Sequence, residues 1–210
     1  MKPQASWNYQ IGSSYQTGPL TVSADAYYIY FGNLLKHESI NGNTIFTNGG
    51  GAIYQGIEAE ATYIVGWGAS VFANASLNSA KFTSSGTNPG SNVSDSPKDT
   101  ASLGVLYDKN AIQASLLGRF IGTRYGDATD AGGVNNIGLD PYFTMDASLG
   151  YTFGGEGEIV PAPTTVRLQV VILTDNTKIY SNNGTGADGV TPTFYTIPGR
   201  SFFASLSAKF

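Results

Sequence analysis

The residue types that most often carry protein chemistry are scarce in this sequence and are not spaced for it. The single histidine, His37, is followed by Glu38, but position 41 is Asn41, so the HExxH pattern of a zinc peptidase is absent. The stretch GGEGE at 154–158 is rich in glycine, yet it does not lead into a helix, as a phosphate-binding loop must. We therefore expect His37 to be a solvated loop residue and 154–158 to be a turn.

Six aspartates in or next to the predicted loops are the other candidates, either as a calcium site or as a pair of catalytic carboxylates. Their spacing matches no EF-type loop, and the chain has no cysteine to supply a thiolate ligand. We expect these side chains to be solvated, and we predict no catalytic residue, no metal site and no cofactor. They are Asp95, Asp99, Asp127, Asp130, Asp140 and Asp188.

The composition favours an all-β protein. Only 12% of the 210 residues are charged, against about 25% in an ordinary soluble domain. The 27 glycines and 12% aromatic residues suit turns and strands. A net charge of -4 without a basic cluster makes nucleic acid an unsuitable partner, and no apolar run approaches the roughly 18 to 20 residues of a membrane-spanning helix.

Apolar and polar residues alternate along nine segments, which predicts nine β-strands. In the last of them, SFFASLSAKF, the even-numbered residues from Phe202 to Phe210 form one apolar row. The predicted strands are 6–17, 20–36, 44–65, 67–83, 99–108, 110–125, 141–154, 164–175 and 197–210.

Short and long connections alternate between these strands. The short ones are 17–19, 65–69, 108–110 and 154–163, and the long polar ones are 36–43, 84–98, 126–140 and 176–197. All long loops therefore fall at one end of the predicted sheet. That asymmetry is typical of an outer-membrane β-barrel, with short periplasmic turns and long extracellular loops.

Aromatic residues collect near both ends of the apolar rows, as they do where a barrel meets the two membrane interfaces. Near the short turns we expect Tyr15, Tyr63, Trp67, Tyr107, Tyr151, Phe153 and Phe210, and near the long loops Tyr30, Phe82, Phe120, Phe143 and Phe202.

Charged residues within the strands fall mostly on the opposite rows, which we expect to face the barrel lumen. A charge facing lipid at mid-depth would cost about 2–4 kcal/mol. In the lumen these groups either contact a plug or a passing ligand, or they hydrogen-bond to water and to one another. They are Asp25, Glu58, Glu60, Arg119, Asp146 and Arg167.

Nine strands cannot form a complete bacterial barrel, because single-chain bacterial barrels have an even number of strands. An open sheet would leave two edges in lipid. With roughly five unsatisfied groups per edge at several kcal/mol each, the cost is on the order of tens of kcal/mol. The sequence thus indicates a part of a larger barrel.

Five stretches, in order along the chain, resemble the C-terminal barrel region of TonB-dependent outer-membrane receptors. They are KPQASWNYQIGSSYQ (2–16), YQGIEAEATY (54–63), LDPYFTMDASLGYTF (139–153), RLQV (167–170) and PGRSFFASLSAKF (198–210). One position departs from the family pattern, because Ile172 stands where an Asn is expected before Asp175. We therefore expect the hydrogen bonding of this strand to differ.

The resemblance implies that residues 1–210 are the C-terminal segment of an antiparallel transmembrane β-barrel of about 22 strands. This chain would supply about nine of them, without the plug domain. The implied role is active uptake of a scarce nutrient, most often a ferric siderophore, at the bacterial outer membrane, with no enzymatic activity. Implied partners are outer-membrane lipid, the ligand, the TonB complex through the plug, and the barrel-assembly machinery, whose signal resembles Phe202, Leu206 and Phe210.

Four loop aromatics, Tyr125, Tyr180, Phe194 and Tyr195, are the candidate ligand contacts. Extracellular loops carry recognition, and aromatic side chains offer a large contact area at low entropic cost. A small autonomous outer-membrane barrel, acting as an adhesin or a porin-like protein, is the alternative, and eight or ten strands would favour it. A soluble carbohydrate-binding β-sandwich is a third hypothesis, which the one-sided loops disfavour.

Overall fold

The fold is known from a computed structural model, which describes residues 2–40, 43–48, 50–83, 89–126, 137–155, 157–186 and 191–209. Fifteen β-strands lie in this part of the chain. They are β1 (Ala5–Thr17), β2 (Leu20–Gly32), β3 (Leu35–Ile40), β4 (Asn43–Asn48), β5 (Ala52–Gly66), β6 (Ala69–Phe82), β7 (Asp99–Lys109), β8 (Ile112–Ile121), β9 (Arg124–Tyr125), β10 (Gly138–Leu139), β11 (Tyr142–Phe153), β12 (Thr164–Val171), β13 (Ile179–Thr185), β14 (Pro192–Thr196) and β15 (Ser201–Ala208).

Nine of these strands form one antiparallel sheet in the order β1, β2, β5, β6, β7, β8, β11, β12 and β15. Each inner strand pairs with the sheet strands before and after it in the chain, and β1 and β15 form the two edges. The predicted all-β antiparallel fold and its nine strands are therefore confirmed. The described residues contain no helix long and apolar enough to cross a membrane.

Five predicted strands are too long at the end where the long loops begin. The second stops at Gly32 rather than 36, and the ninth starts at Ser201 rather than 197. The third starts at Ala52 rather than 44, because Gly50 has a φ of +91° and residues 43–48 pair with β3 instead. The sixth stops at Ile121, and the eighth stops at Val171, where Ile172 turns away with a φ of +56°.

The short connections turn tightly on residues with positive φ. Gly18 has a φ of +53°, Trp67 and Gly68 have +52° and +89°, and Asn110 has +56°. Such values match the twist of the flanking strands in two-residue hairpins. The long connections, 33–51, 83–98, 122–141 and 172–200, all lie at the opposite end, as predicted.

The register divides the sheet into one apolar face and one polar face. The apolar face carries side chains that remain largely open to their surroundings, with Ile57 55%, Leu103 59% and Leu168 56% exposed. The few buried apolar residues of the described chain lie in the connections, as Leu139 and Ile197 do, or near the loop ends of sheet strands, as Ala52 and Ala80 do. A single layer with no opposing layer must cover its apolar face with something other than its own core.

Most of the predicted aromatic residues lie on the apolar face, and one does not. Phe82 ends β6 at the loop end, but it pairs with Ala52 and is an odd number of residues from Leu77. It therefore lies on the polar face, and its prediction on the apolar face was wrong. At the short-turn end, the rings of Tyr151 and Phe153 stack with centroids 6.3 Å apart. Phe210 lies outside the described residues.

Candidate functional site

All six charged residues singled out in the strands lie on the polar face. Asp25 pairs directly with Glu58, and Ser23 with Glu60. Further round the sheet, Arg119 pairs with Thr144, and Arg167 with Gly150. The alternation continues across every ladder between them, so one face carries the whole set, including Asp146.

Asp25, Glu58 and Glu60 form an acidic group on β2 and β5. Gln10 Nε2 donates to Asp25 Oδ1 at 3.1 Å, and Ser23 Oγ donates to Glu60 Oε1 at 3.0 Å. No salt bridge joins any of the three acids to another described residue. Their side chains line an open cavity of about 320 Å³ together with Ser23, Asn74, Ser76 and Thr100.

The other three charged residues are tied into the sheet by polar contacts. Arg119 Nη1 lies 3.1 Å from Asp146 Oδ2, and Asp146 Oδ1 accepts the main-chain N–H of Ile172 at 2.9 Å. Arg167 Nη2 donates to Gln113 Oε1 at 2.6 Å. The main-chain amide that follows β12 thus finds its acceptor on Asp146 of β11.

A hydroxyl and an amide bridge three strands in the middle of the polar face. Tyr27 Oη on β2 donates to Asn78 Oδ1 on β6 at 2.7 Å, crossing β5 above Gly56. A Cβ on Gly56 would lie 2.8 Å from Tyr27 Oη and 2.7 Å from Asn78 Oδ1. The missing side chain at position 56 is therefore what allows this bridge.

The structure brings together part of the predicted loop aromatics. Tyr180 on β13 stacks on Tyr195 of β14, with ring centroids 6.0 Å apart and planes inclined by 25°. Phe194 precedes Tyr195 in β14 and is exposed. Tyr125 lies in β9, where Lys98 Nζ is 5.0 Å from its ring centroid and 3.4 Å from its hydroxyl.

Sequence reasoning missed the residue that joins these loops. Arg124 is only 3% exposed. Its Nε donates to the carbonyl of Tyr180 at 2.9 Å, its Nη2 donates to the same carbonyl and to that of Ile179, and its guanidinium carbon lies 4.9 Å from the ring centroid of Tyr142. An arginine in a glycine-rich polar segment gives no sequence signal that would separate it from a solvated one.

Among the remaining candidates, His37 lies in β3, within a hairpin of the 33–51 connection, rather than in an irregular loop. Asp95 Oδ2 accepts the hydroxyl of Ser181 at 2.8 Å. Asp127, Asp130 and Asp188 lie outside the described residues, whose His, Asp and Glu side chains form no group of three able to hold a metal ion. On β15, Phe202 and Leu206 are exposed on the apolar face.

Three solved structures with the same fold are each about three times as long as this chain. The ferric yersiniabactin uptake receptor FyuA from Yersinia pestis superposes with a TM-score of 0.77 and 22% identity over 99% of this chain and 30% of its own. The ferric preacinetobactin receptor BauA from Acinetobacter baumannii gives 0.72 and 18% over 100% and 30%, and the copper transporter OprC gives 0.73 and 17% over 100% and 32%. The chain thus spans about a third of each.

The family of the chain follows from its sequence. No curated protein matches it, but the family model described as TonB dependent receptor-like, beta-barrel matches residues 1–171. Members of this family are outer-membrane β-barrels that act as transporters and not as enzymes. The chain belongs to the family of TonB-dependent receptor β-barrels.

Proposed function

We propose that residues 1–210 are the C-terminal barrel segment of a receptor that takes up a scarce nutrient, and that this nutrient is a ferric siderophore. The observation that carries the proposal is the sheet itself. One layer of nine strands exposes an apolar face on one side and collects six charges on the other, with every long loop at one end. A wall between lipid and a wet lumen needs these three properties together.

The lipid side of the proposal follows from the cost of exposing the apolar face to water. Ile57, Leu103 and Leu168 are each more than half exposed in the isolated sheet, and burying a side chain of this size is worth about 1.5–3 kcal/mol. Lipid covers such a face without a second layer. The aromatic residues at the two ends of the face are then interfacial anchors.

The lumen side uses the polar face. The acidic group of Asp25, Glu58 and Glu60 has no cationic partner among the described residues, so we expect a basic group of the plug or of the cargo to lie against it. Arg119, Asp146 and Arg167 already have protein partners, and their role is to keep the wall polar and ordered. The plug in turn would connect the receptor to the TonB complex.

Recognition is assigned to the long loops. The stacked Tyr180 and Tyr195 rings are 40% and 49% exposed, and Phe194 and Tyr125 lie on the same set of loops. These four aromatics offer rigid contact area to a metal chelate. Iron chelates are favoured over copper because two of the three similar structures, FyuA and BauA, are ferric receptors, and one, OprC, is a copper transporter.

The test is binding by the receptor with its upstream residues restored. We would measure the affinity of the purified receptor for ferric citrate, ferric yersiniabactin, ferric enterobactin and cupric ion. At least one ferric chelate should bind, and Tyr180→Ala should weaken it, whereas Tyr15→Phe on the lipid face should not. Binding of cupric ion alone would contradict the choice of cargo, and binding of none would contradict the receptor role.

A second measurement separates the receptor segment from a small autonomous barrel and tests the assembly signal. The 210-residue chain and the longer chain are refolded in detergent micelles and compared by heat-modifiable gel migration. Only the longer chain should give a compact, heat-sensitive band. Replacing Phe202 and Leu206 by Ser in the longer chain should weaken this band. A compact band from 210 residues alone would favour the autonomous barrel.

A further inference from the structure

Arg124 is an unusual cation for a surface loop, because it is almost fully buried. Within the described part of the chain no carboxylate lies within 4.0 Å of it, and its Nη1 atom is buried with no hydrogen-bond partner. Desolvating a guanidinium is costly unless its donors are used. The donors that are used point to two main-chain carbonyls of one strand, β13.

These bonds join two different long connections. Arg124 belongs to the 122–141 connection, where it also pairs with Leu139 of β10, and its partners Ile179 and Tyr180 belong to the 172–200 connection. The ring of Tyr142, at the start of β11, covers the guanidinium at 4.9 Å. The side chain thus connects β13 to the top of the nine-stranded sheet.

A third connection reaches the same point through Asp95. Its main-chain N–H donates to the Tyr125 carbonyl at 2.9 Å, and its Oδ2 accepts the Ser181 hydroxyl at 2.8 Å. Tyr125 adjoins Arg124 and Ser181 adjoins Tyr180, so both ties meet at adjacent residues. Three of the four long connections are therefore fastened together at one junction.

The junction includes the main chain of one of the two stacked tyrosines. Fixing the carbonyl of Tyr180 fixes the main chain from which its ring projects, and that ring stacks on Tyr195. A free two-stranded hairpin in water is marginally stable, so β13 and β14 need an outside support to hold two exposed rings in one orientation. A surface whose rings are already ordered binds with a smaller entropic cost.

We propose that Arg124 is a positioning residue for ligand recognition: through the Tyr180 carbonyl it holds the Tyr180–Tyr195 pair as a preformed binding surface, and Asp95 supports the same hairpin. The ligand class is a metal chelate with a planar or aromatic group that can lie against the rings. This inference rests on the proposed receptor function. Arg124 itself does not touch the ligand.

The experiment uses the receptor with its upstream residues and two arginine substitutions. Arg124→Gln removes the tie to β13. Arg200→Gln is the matched control, because Arg200 also donates to a carbonyl of the 172–200 connection, that of Leu173 at 3.1 Å, while its hydrogen bonds within the described residues go to Leu173 and Asp175 and not to β13. Heat-modifiable migration is measured for both, to verify that the barrel is folded.

The first readout is hydrogen exchange of the peptide that contains β13 and β14. Losing hydrogen bonds from a charged donor should speed exchange there by about tenfold or more in Arg124→Gln. Arg200→Gln should leave this hairpin at the rate of the unmodified receptor. Arg124→Lys, which keeps the charge and one donor nitrogen, should retain part of the protection. Unchanged exchange in Arg124→Gln would overturn the proposal.

The second readout is affinity for the ferric chelate that the receptor binds best in the panel of ferric citrate, ferric yersiniabactin and ferric enterobactin. Arg124→Gln and Tyr180→Ala should each weaken it by about tenfold, and the double variant should be no weaker than Tyr180→Ala, because the arginine acts through the tyrosine. Additive losses, or faster exchange with unchanged affinity, would overturn the positioning role. If the unmodified receptor binds no chelate, the receptor function fails, and the exchange result alone decides whether Arg124 holds the hairpin.

Discussion

One aromatic ring packs directly on a glycine of the sheet, and this contact gives a quantitative test of side-chain packing on the polar face. Phe72 on β6 lies opposite Gly104 on β7, and its ring covers the glycine. A Cβ built on Gly104 would lie 2.0 Å from Cε1, 2.5 Å from Cζ and 2.7 Å from Cδ1 of Phe72, where 3.4–4 Å is ordinary contact. Gly104→Ala therefore forces the ring out of its place.

The expected cost follows from that displacement. Overpacking of a fitted site costs about 1–3 kcal/mol, against a gain of about 0.5–1 kcal/mol for replacing a strand glycine by alanine. Gly104→Ala should lower the free energy of unfolding by about 1 kcal/mol, the difference between the middle values of the two ranges. In a Phe72→Ala background the clash is gone, and the same change should be neutral or stabilising.

The assay is urea unfolding of the receptor with its upstream residues, in lipid vesicles, as a double-mutant cycle over Phe72 and Gly104. Gly150→Ala is the matched control on the same face, because its Cβ would find Arg167 and Gln113 no closer than 3.7 Å. A coupling energy near zero between Phe72 and Gly104, or an equal loss for Gly150→Ala, would refute the reasoning.

Three further predictions use the same unfolding measurement. Gly56→Ala should destabilise by about 1–3 kcal/mol, because its Cβ would break the Tyr27 bridge and meet the Leu77 carbonyl at 2.6 Å; an unchanged midpoint would contradict this. Asp146→Ala should cost about 1 kcal/mol more than Arg119→Ala, because Asp146 also accepts an amide while Arg119 is 50% exposed; equal losses would contradict it. Ile172→Gly should be more stable than Ile172→Ala by about 1 kcal/mol, since the φ of +56° suits glycine. If Ile172→Ala were the more stable variant, the backbone at this position would not be strained.

The strands could be predicted from the sequence because the two faces of the sheet differ in polarity, so that apolar and polar residues alternate along each strand. Along β11, Phe143, Met145 and Leu149 alternate with Thr144, Asp146 and Ser148, and a one-residue error would place each of them on the wrong face. The same logic assigned the six charges to one face. Phe82 was misplaced because it was grouped by its position near the loop end rather than by its parity along β6.

The loop structure could not be predicted in this way. The hairpins β3–β4 and β13–β14 and the pair β9–β10 stand apart from the sheet, so no shared apolar face imposes a period on them. Arg124 is identified only by its burial and by carbonyl partners more than fifty positions away in the chain. The position of Ile172 stood out in the sequence, but only its φ explains why another residue type would suit it.

The alternation of short turns and long loops sets how the chain can diversify. Each long connection leaves the sheet from one strand and returns to the strand that pairs with it, so its two ends are held a strand spacing apart whatever its length. The entropy of closing such a loop grows with the logarithm of its length, and doubling the number of residues costs only about 0.6 kcal/mol. Insertions in these loops therefore cost the sheet little stability. In the proposed receptor, new ligand specificity can arise by lengthening loops without any compensating change in the strands.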